Sequence, residues 1–373
     1  MKIRPVLAVA PLVLLVACGG KETPAAAGGP ITVDAHDDAC KVARTTADAG
    51  NITFEVANKG SKVTEFYLYG EGDRILGEVE NIGPGLTRRL IVEVPSAGKF
   101  QTACKPGMVG DGIRADFTVS GGVAAAADEN SQIAAAVKSY QQFVDTQTGP
   151  LQDKTAEFVN AVKAGKVDDA KALYPVARIY WERIEPVAES FGDIDGKTDT
   201  REPDLEPGQA FTGWHRLEKD LWVSGLQADS GQIADQLLAD IKDLAGRTKS
   251  LQLTAAQLAN GAKELLDEVA TGKITGEEDQ YSHTDLYDFR ANLDGSQAAV
   301  AALRPVIDTR DKALGATLDE KFGAVDKLLE KQRKGDGFKL YTDLTQDEIK
   351  DFAAAVDALG EPVSKVAEVV TAN

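Results

Sequence analysis

GGVAAAADEN, Gly121 to Asn130, divides this chain of 373 residues into two parts of different periodicity. Small residues with no apolar repeat make the stretch a linker. Before it, from Ile31 to about Ser120, stand short β-branched runs separated by Gly, Asn and Pro: ITVDA, NITFEVANKG, TEFYLYG, ILGEVENIG, LTRRLIVEVP, GKFQTAC and IRADFTVSG. Ile52, Phe54 and Val56 recur at every second position, as do Leu90, Val92 and Val94, the spacing that lines one face of a strand. About seven strands with one buried face predict a β-sandwich for residues 31–120.

After the linker the sequence turns rich in Ala, Leu, Lys, Glu and Asp with helical spacing. Predicted helices run from about Gln132 to Ala164, Val167 to Ser190, Gly208 to Leu226, Gly231 to Leu244, Thr254 to Ala270, Ser282 to Ala302, Asp308 to Arg333 and Thr345 to Val370. Long helices with short connections favour a bundle of mostly antiparallel neighbours over residues 131–373. The fold class is therefore multidomain: an N-terminal β-sandwich followed by an all-α helical bundle.

Upstream, MKIRPVLAVAPLVLLVACGG places Lys2 and Arg4 before an apolar run that ends in small residues, the pattern of a signal peptide over residues 1–18. Leu15 to Cys18 resembles the lipobox of bacterial lipoproteins, in which the cysteine carries the lipid. Val6 to Ala17 is too short to span a bilayer. GGKETPAAAGGP, residues 19–30, then reads as a flexible tether. With Cys18 acylated, Cys40 and Cys104 remain as a pair in an oxidising compartment. A formal net charge of −18 excludes nucleic acid as an expected partner, because phosphate recognition needs basic patches.

The chemistry concentrates in the helical part. GWHRLEKDLW puts His215 and Glu218 one turn apart on one helix face, flanked by Phe211 and Trp222. Trp214, Leu217 and Leu221 form a second apolar stripe, so the His/Glu pair is expected to face the bundle interior. A buried ionisable pair requires partners or a metal. RIYWERIEPVAES adds Glu182, Glu185 and Glu189 at helical offsets. Asp193, Asp195, Asp199, Glu202 and Asp204 crowd the loop before the His215 helix, and YSHTDLYDF contributes His283, Asp285 and Asp288. Ser282 and Asp285 also make a plausible N-cap with an acidic partner. Carboxylates with imidazole suit iron, manganese or zinc.

These residues carry a resemblance. The helical region resembles the imelysin or M75 domain, whose hallmark G-x-H-R-x-E stands at Gly213 to Glu218, beside WERIEPVAESFGD and GKITGEEDQYSHTDLYDF. With a cupredoxin-like domain before it, nearly all of the mature chain is similar to the EfeO type of bacterial iron-uptake lipoprotein. The resemblance implies iron, Fe2+ or Fe3+, held by His215 and Glu218, with Glu182 and Asp199 as further ligands. Glu185, Glu202, His283 and Asp285 complete the candidate set, and zinc or copper are the alternative metals. It also implies a membrane iron permease and a haem-peroxidase-like protein of the same system as partners. The chain is then anchored by lipid to the outer face of the cytoplasmic membrane, or lies in the periplasm.

The peptidase label of the M75 family finds no support in the residues: neither a zinc HExxH helix nor a G-x-S-x-G nucleophile occurs. In the β domain, CKPGMVG (Cys104 to Gly110) resembles a cupredoxin metal loop but lacks histidine, and His36 alone cannot supply the two that blue copper needs. Two readings stay open there: a Cys40–Cys104 disulfide, or an altered metal site of Cys40, Cys104, Met108 and Glu65. For the whole chain the expected function is iron capture and delivery to a permease. The alternatives are a metal-dependent ferrous-iron oxidase and a metal-free envelope lipoprotein.

Overall fold

The computed structural model describes residues 29–122 and 129–372. The expected signal peptide with Cys18, the tether up to residue 28 and residues 123–128 of the linker lie outside the described residues. Among the described residues, no helix is long and apolar enough to cross a membrane.

The N-terminal domain is a sandwich of strands β1 (Ile31–Ala35), β2 (Cys40–Val42), β3 (Thr46–Asp48), β4 (Gly50–Asn58), β5 (Thr64–Tyr69), β6 (Ile75–Ile82), β7 (Thr87–Val94), β8 (Ser96–Pro106) and β9 (Ile113–Gly122). One sheet has the order β2-β1-β4-β7 and the other β3-β9-β8-β5-β6. β1 with β4 and β3 with β9 pair in parallel; the remaining pairs are antiparallel. The alternation read from the sequence sets the register, with Ile52 opposite Val92 and Phe54 opposite Leu90, all buried. Phe54 meets Phe66 and Phe117 of the other sheet at ring-centre distances of 5.0 and 5.6 Å, which joins the two inner faces. All seven runs expected as strands are strands. β2 and β3 are additions of three residues each, too short to show alternation.

Cys40 on β2 and Cys104 on β8 form a disulfide, Cα–Cα 5.5 Å, that staples one sheet to the other. This corrects the altered metal site. Cys104 faces the core, whereas Glu65 precedes Phe66, the residue paired with Cys104, and so points to the opposite face of β5, where it accepts from the Tyr67 hydroxyl at 2.8 Å. Met108 sits half-exposed in the turn after β8 with φ +60°. Under denaturing, non-reducing conditions neither Cys40 nor Cys104 is expected to react with a thiol reagent. Reduction should lower the stability of the β domain by roughly 2–5 kcal/mol in a denaturant titration; a reactive thiol at either position would contradict the staple.

The helical domain comprises α1 (Glu129–Lys163), α2 (Val167–Glu182), α3 (Glu185–Glu189), α4 (Gly192–Thr198), α5 (Gly213–Lys219), α6 (Ser230–Arg247), α7 (Ala255–Thr271), α8 (Asp285–Arg310), α9 (Lys312–Glu330), α10 (Gln346–Val363) and α11 (Val366–Thr371). A short hairpin, β10 (Arg333–Lys334) with β11 (Gly337–Phe338), follows α9. α1 packs on α2, α6 and α8, and α8 also packs on α2, α7 and α9, so α1 and α8 are the central struts.

Four expected helices differ: Thr345–Val370 is split into α10 and α11, the run from Asp308 spans the break between α8 and α9, and two more depart near the site. The run from Val167 to Ser190 stops at Glu182 and restarts at Glu185, with Ile184 in a non-helical conformation and Pro186, which has no N–H to donate to the preceding turn, in the first turn of α3. The run from Gly208 starts only at Gly213, and it ends in a π-helical turn, Asp220–Ser224. α7 packs against β6 and β7. Asn260 on α7 donates to the Ile91 carbonyl at 3.0 Å, and the Ile75 amide donates to Ser190 at 3.3 Å, joining the domains.

Candidate metal centre

The site begins with a glycine. Gly213 has φ +75°, and a Cβ there would lie 2.1 Å from the Thr198 carbonyl oxygen. Only glycine lets the start of α5 press against the end of α4. That contact brings His215, in the first turn of α5, to Asp199, which ends α4. Trp214 and Leu217 on the same short helix are buried against Phe158 and Tyr174 and fix its rotation.

His215 and Glu218 face the interior as expected, 1% and 0% exposed. Nδ1 of His215 lies 3.3 Å from Glu218 Oε2. Nε2 lies 3.3 Å from Asp199 Oδ1 and 3.6 Å from Glu278 Oε1, yet it makes no well-directed hydrogen bond. The other oxygen of Glu218 accepts the backbone N–H groups of Tyr281 and Ser282 at 2.9 and 2.7 Å. The loop between α7 and α8 therefore anchors Glu218 and leaves Oε2 for the imidazole side. Asp279 in that loop completes a second group with His215 and Glu218. It accepts from Tyr174 at 3.1 Å and from Thr284.

Around this core the charges do not balance. Glu182, Glu185, Asp199, Glu218, Glu278, Asp279, Asp285 and Asp288 surround two buried cations, Arg178 and Lys273, and Arg201 reaches Glu278 at 3.9 Å from the edge of the pocket. Arg178 on α2 is wholly buried. Its guanidinium bonds Glu182 and Asp199, and it reaches Glu278 Oε1 at 2.9 Å and Asp288 Oδ2 at 3.1 Å. Lys273 reaches Glu182 at 2.6 Å, Glu185 at 3.0 Å and Glu268 at 3.1 Å, and Asn292 donates to Glu182 and Glu185.

Burial, then the Arg178 charge, press the His215 pKa down, but the surrounding Asp199, Glu218 and Glu278 more than offset this and hold it well above its ordinary value. Burial would raise Asp199; Arg178 and His215 overcome it and hold its carboxyl at about 2. Desolvation, followed by the Glu218 charge, drives Asp279 well above the carboxylate range. In a low-dielectric pocket this excess of carboxylates is stabilised either by protons or by a metal cation.

Of the residues singled out from the sequence, His215, Glu218, Asp199, Glu182 and Glu185 converge here. Asp285 is buried beside them, accepting the Asp279 N–H at 3.2 Å. Glu202 lies at the rim, paired with Lys219 at 2.5 Å. His283 adopts φ +58°, and its carbonyl accepts from Tyr341 N at 2.8 Å; it shapes the loop and joins none of the ligand groups. Sequence reasoning missed Glu278, Asp279, Arg178 and Lys273. Glu278 and Asp279 sat unremarked in the acidic run GEED, and the Arg178/Glu182 spacing of four was the available signal for the arginine.

A helical domain with a buried His-and-carboxylate pocket thus follows a two-sheet β-sandwich. Residues 136–366 match the imelysin family, M75, and residues 7–119 match the cupredoxin-like domain. The chain is 36% identical over 345 residues to the iron uptake system component EfeO of Escherichia coli O157:H7, covering 90% of each chain. It is also 42% identical over 246 residues to an Efem/EfeO family lipoprotein of Staphylococcus haemolyticus, covering 65% of this chain and 86% of that one. The chain belongs to the EfeO-type imelysin family.

Proposed function

We propose that this protein is the extracytoplasmic iron-binding component of an iron-uptake system, capturing iron at His215 and Glu218 and passing it to a membrane permease. Asp279 completes the group with Glu218, and Asp199 and Glu278 form a second group on the Nε2 side of the same imidazole, with Glu182 and Glu185 behind them. The observation that carries this reading is the fully buried imidazole of His215 with carboxylates at both nitrogens, Glu218 3.3 Å from Nδ1 and Asp199 3.3 Å from an Nε2 that has no well-directed hydrogen bond. One imidazole among carboxylates, with no thiolate, suits iron better than copper. The names of the relatives, iron uptake component and lipoprotein, support the same role and an exported, lipid-anchored location.

The oxidase alternative is weakened by the closed Cys40–Cys104 disulfide, since copper chemistry of the cupredoxin kind needs a free thiolate. Anaerobic Fe2+ and Fe3+ titration of the purified mature chain, followed by stopped-flow mixing with oxygen, tests the proposal. Tight iron binding with no oxygen consumed is the expected result. Oxygen consumption coupled to loss of Fe2+ would make the protein an oxidase, and failure of either ion to bind would end both readings.

A further inference from the structure

A second group of carboxylates lies where the two domains meet. Glu78 comes from β6 of the sandwich, Glu189 from α3 and Glu264 from α7. One oxygen of each lies within 4.8 Å of the others. The sequence supplies Glu78 more than a hundred residues before the other two, and the packing of α7 against β6 brings it to Glu189 and Glu264.

This group differs from the His215 centre in having no cation paired directly with it among the described residues. Glu78 is 9% exposed, aimed into the group, and accepts no hydrogen bond and forms no ion pair among the described residues. The nearest cations are engaged elsewhere: Lys105 lies over the Tyr67 ring at 4.2 Å, Lys263 pairs with Asp267, and Lys273 serves Glu182, Glu185 and Glu268. Beside the group is a cavity of about 40 Å³, lined by Glu78, Glu264, Tyr140 and Ser190, enough for an ion with a water. Burial, then the neighbouring carboxylates, push the pKa values of all three upward, that of Glu264 to about 8.

We propose that Glu78, Glu189 and Glu264 form a second cation site that clamps the β domain to the helical domain. Three carboxylates from three separate elements, with no nitrogen or sulfur donor, select a hard di- or trivalent cation such as Mn2+, Ca2+ or Fe3+. The cation neutralises repulsion that otherwise opposes docking, so its binding tightens the junction. Glu189 also belongs to a neighbouring group with Glu185 and Glu268, which places the clamp next to the carboxylates behind the His215 centre.

Mn2+ titration of the full mature chain, read by the loss of the free-ion paramagnetic resonance signal, tests the site separately from iron capture. The chain carrying His215→Ala is the starting protein, so that the other centre does not contribute. That chain is expected to bind Mn2+ and to melt at higher temperature with the ion than without it. Adding Glu78→Gln and Glu264→Gln should remove both the binding and the melting shift while raising the melting temperature of the metal-free protein, because like charges are removed at constant shape. No Mn2+ binding by the starting protein overturns the site, and so does Mn2+ binding that survives the added changes. A rise in metal-free stability without Mn2+ binding by the starting protein means that shared protons hold the carboxylates together, and this too overturns the proposal.

Discussion

Replacement of His215 by Ala, and of Glu218 by Gln, is expected in each case to weaken iron binding by about 100-fold or more, beyond the range that even outer-shell changes reach. The double variant should lose little more than either single one, because ligands of one ion do not act independently. The choice of Gln matters. Glu218 holds the Tyr281 and Ser282 backbone N–H groups through one oxygen, and the Gln carbonyl can still accept them while the charge toward His215 is gone. The two chains should therefore stay folded, with His215→Ala losing roughly 1–3 kcal/mol for the vacated space and the unpaired carboxylates. If the pair were only a structural contact, both variants would melt earlier and the folded fraction would bind iron as before. Iron titration and thermal melting on the same three proteins separate the cases; unchanged iron affinity in His215→Ala would falsify the proposed ligand set.

The division of the chain at Gly121 and the strand set were legible because alternation and helical spacing are local signals. β2 and β3 escaped because three residues carry no period, although β2 holds the cysteine that closes the disulfide. The start of α5 was placed five residues early. What fixes it is the close approach of Gly213 to Thr198, a contact between segments that no local pattern reveals. Within the site, His215 and Glu218 were readable from their spacing. Glu182, Glu185 and Glu189 looked like one stripe; the helix breaks at Ile184, so the first two turn to Lys273 and Glu189 turns to the domain junction. Glu278 and Asp279 sit in a loop whose acidity looks like a solvated surface. Their burial depends on how α2, α5 and α8 surround that loop, and this is tertiary information. Arg178 was the least legible of all, since an arginine in RIYWER resembles any exposed helical cation.

That arginine leads to the second large effect. Arg178→Met should lower the stability of the metal-free helical domain by about 3–5 kcal/mol, the cost of leaving buried charges without their partner. Arg178 serves Glu182, Asp199, Glu278 and Asp288 with one planar fork, and no other side chain present can replace it in that geometry. Arg178→Lys keeps the charge but not the fork and should fall between the two. At roughly 2–4 °C per kcal/mol for a domain of this size, the Met variant should melt about 6–20 °C below the parent. Arg178 also occupies the Asp199 and Glu278 oxygens that His215 Nε2 faces, so it competes with an incoming ion for the same lone pairs. Iron should therefore raise the melting temperature of Arg178→Met by more than it raises that of the parent, as the ion takes over the charge the arginine supplied. Melting curves of the three chains with and without iron decide the matter. Equal metal-free stability in Arg178→Met would show that protons, and not the guanidinium, neutralise the pocket, and an equal iron shift in variant and parent would show that arginine and ion do not share their oxygens.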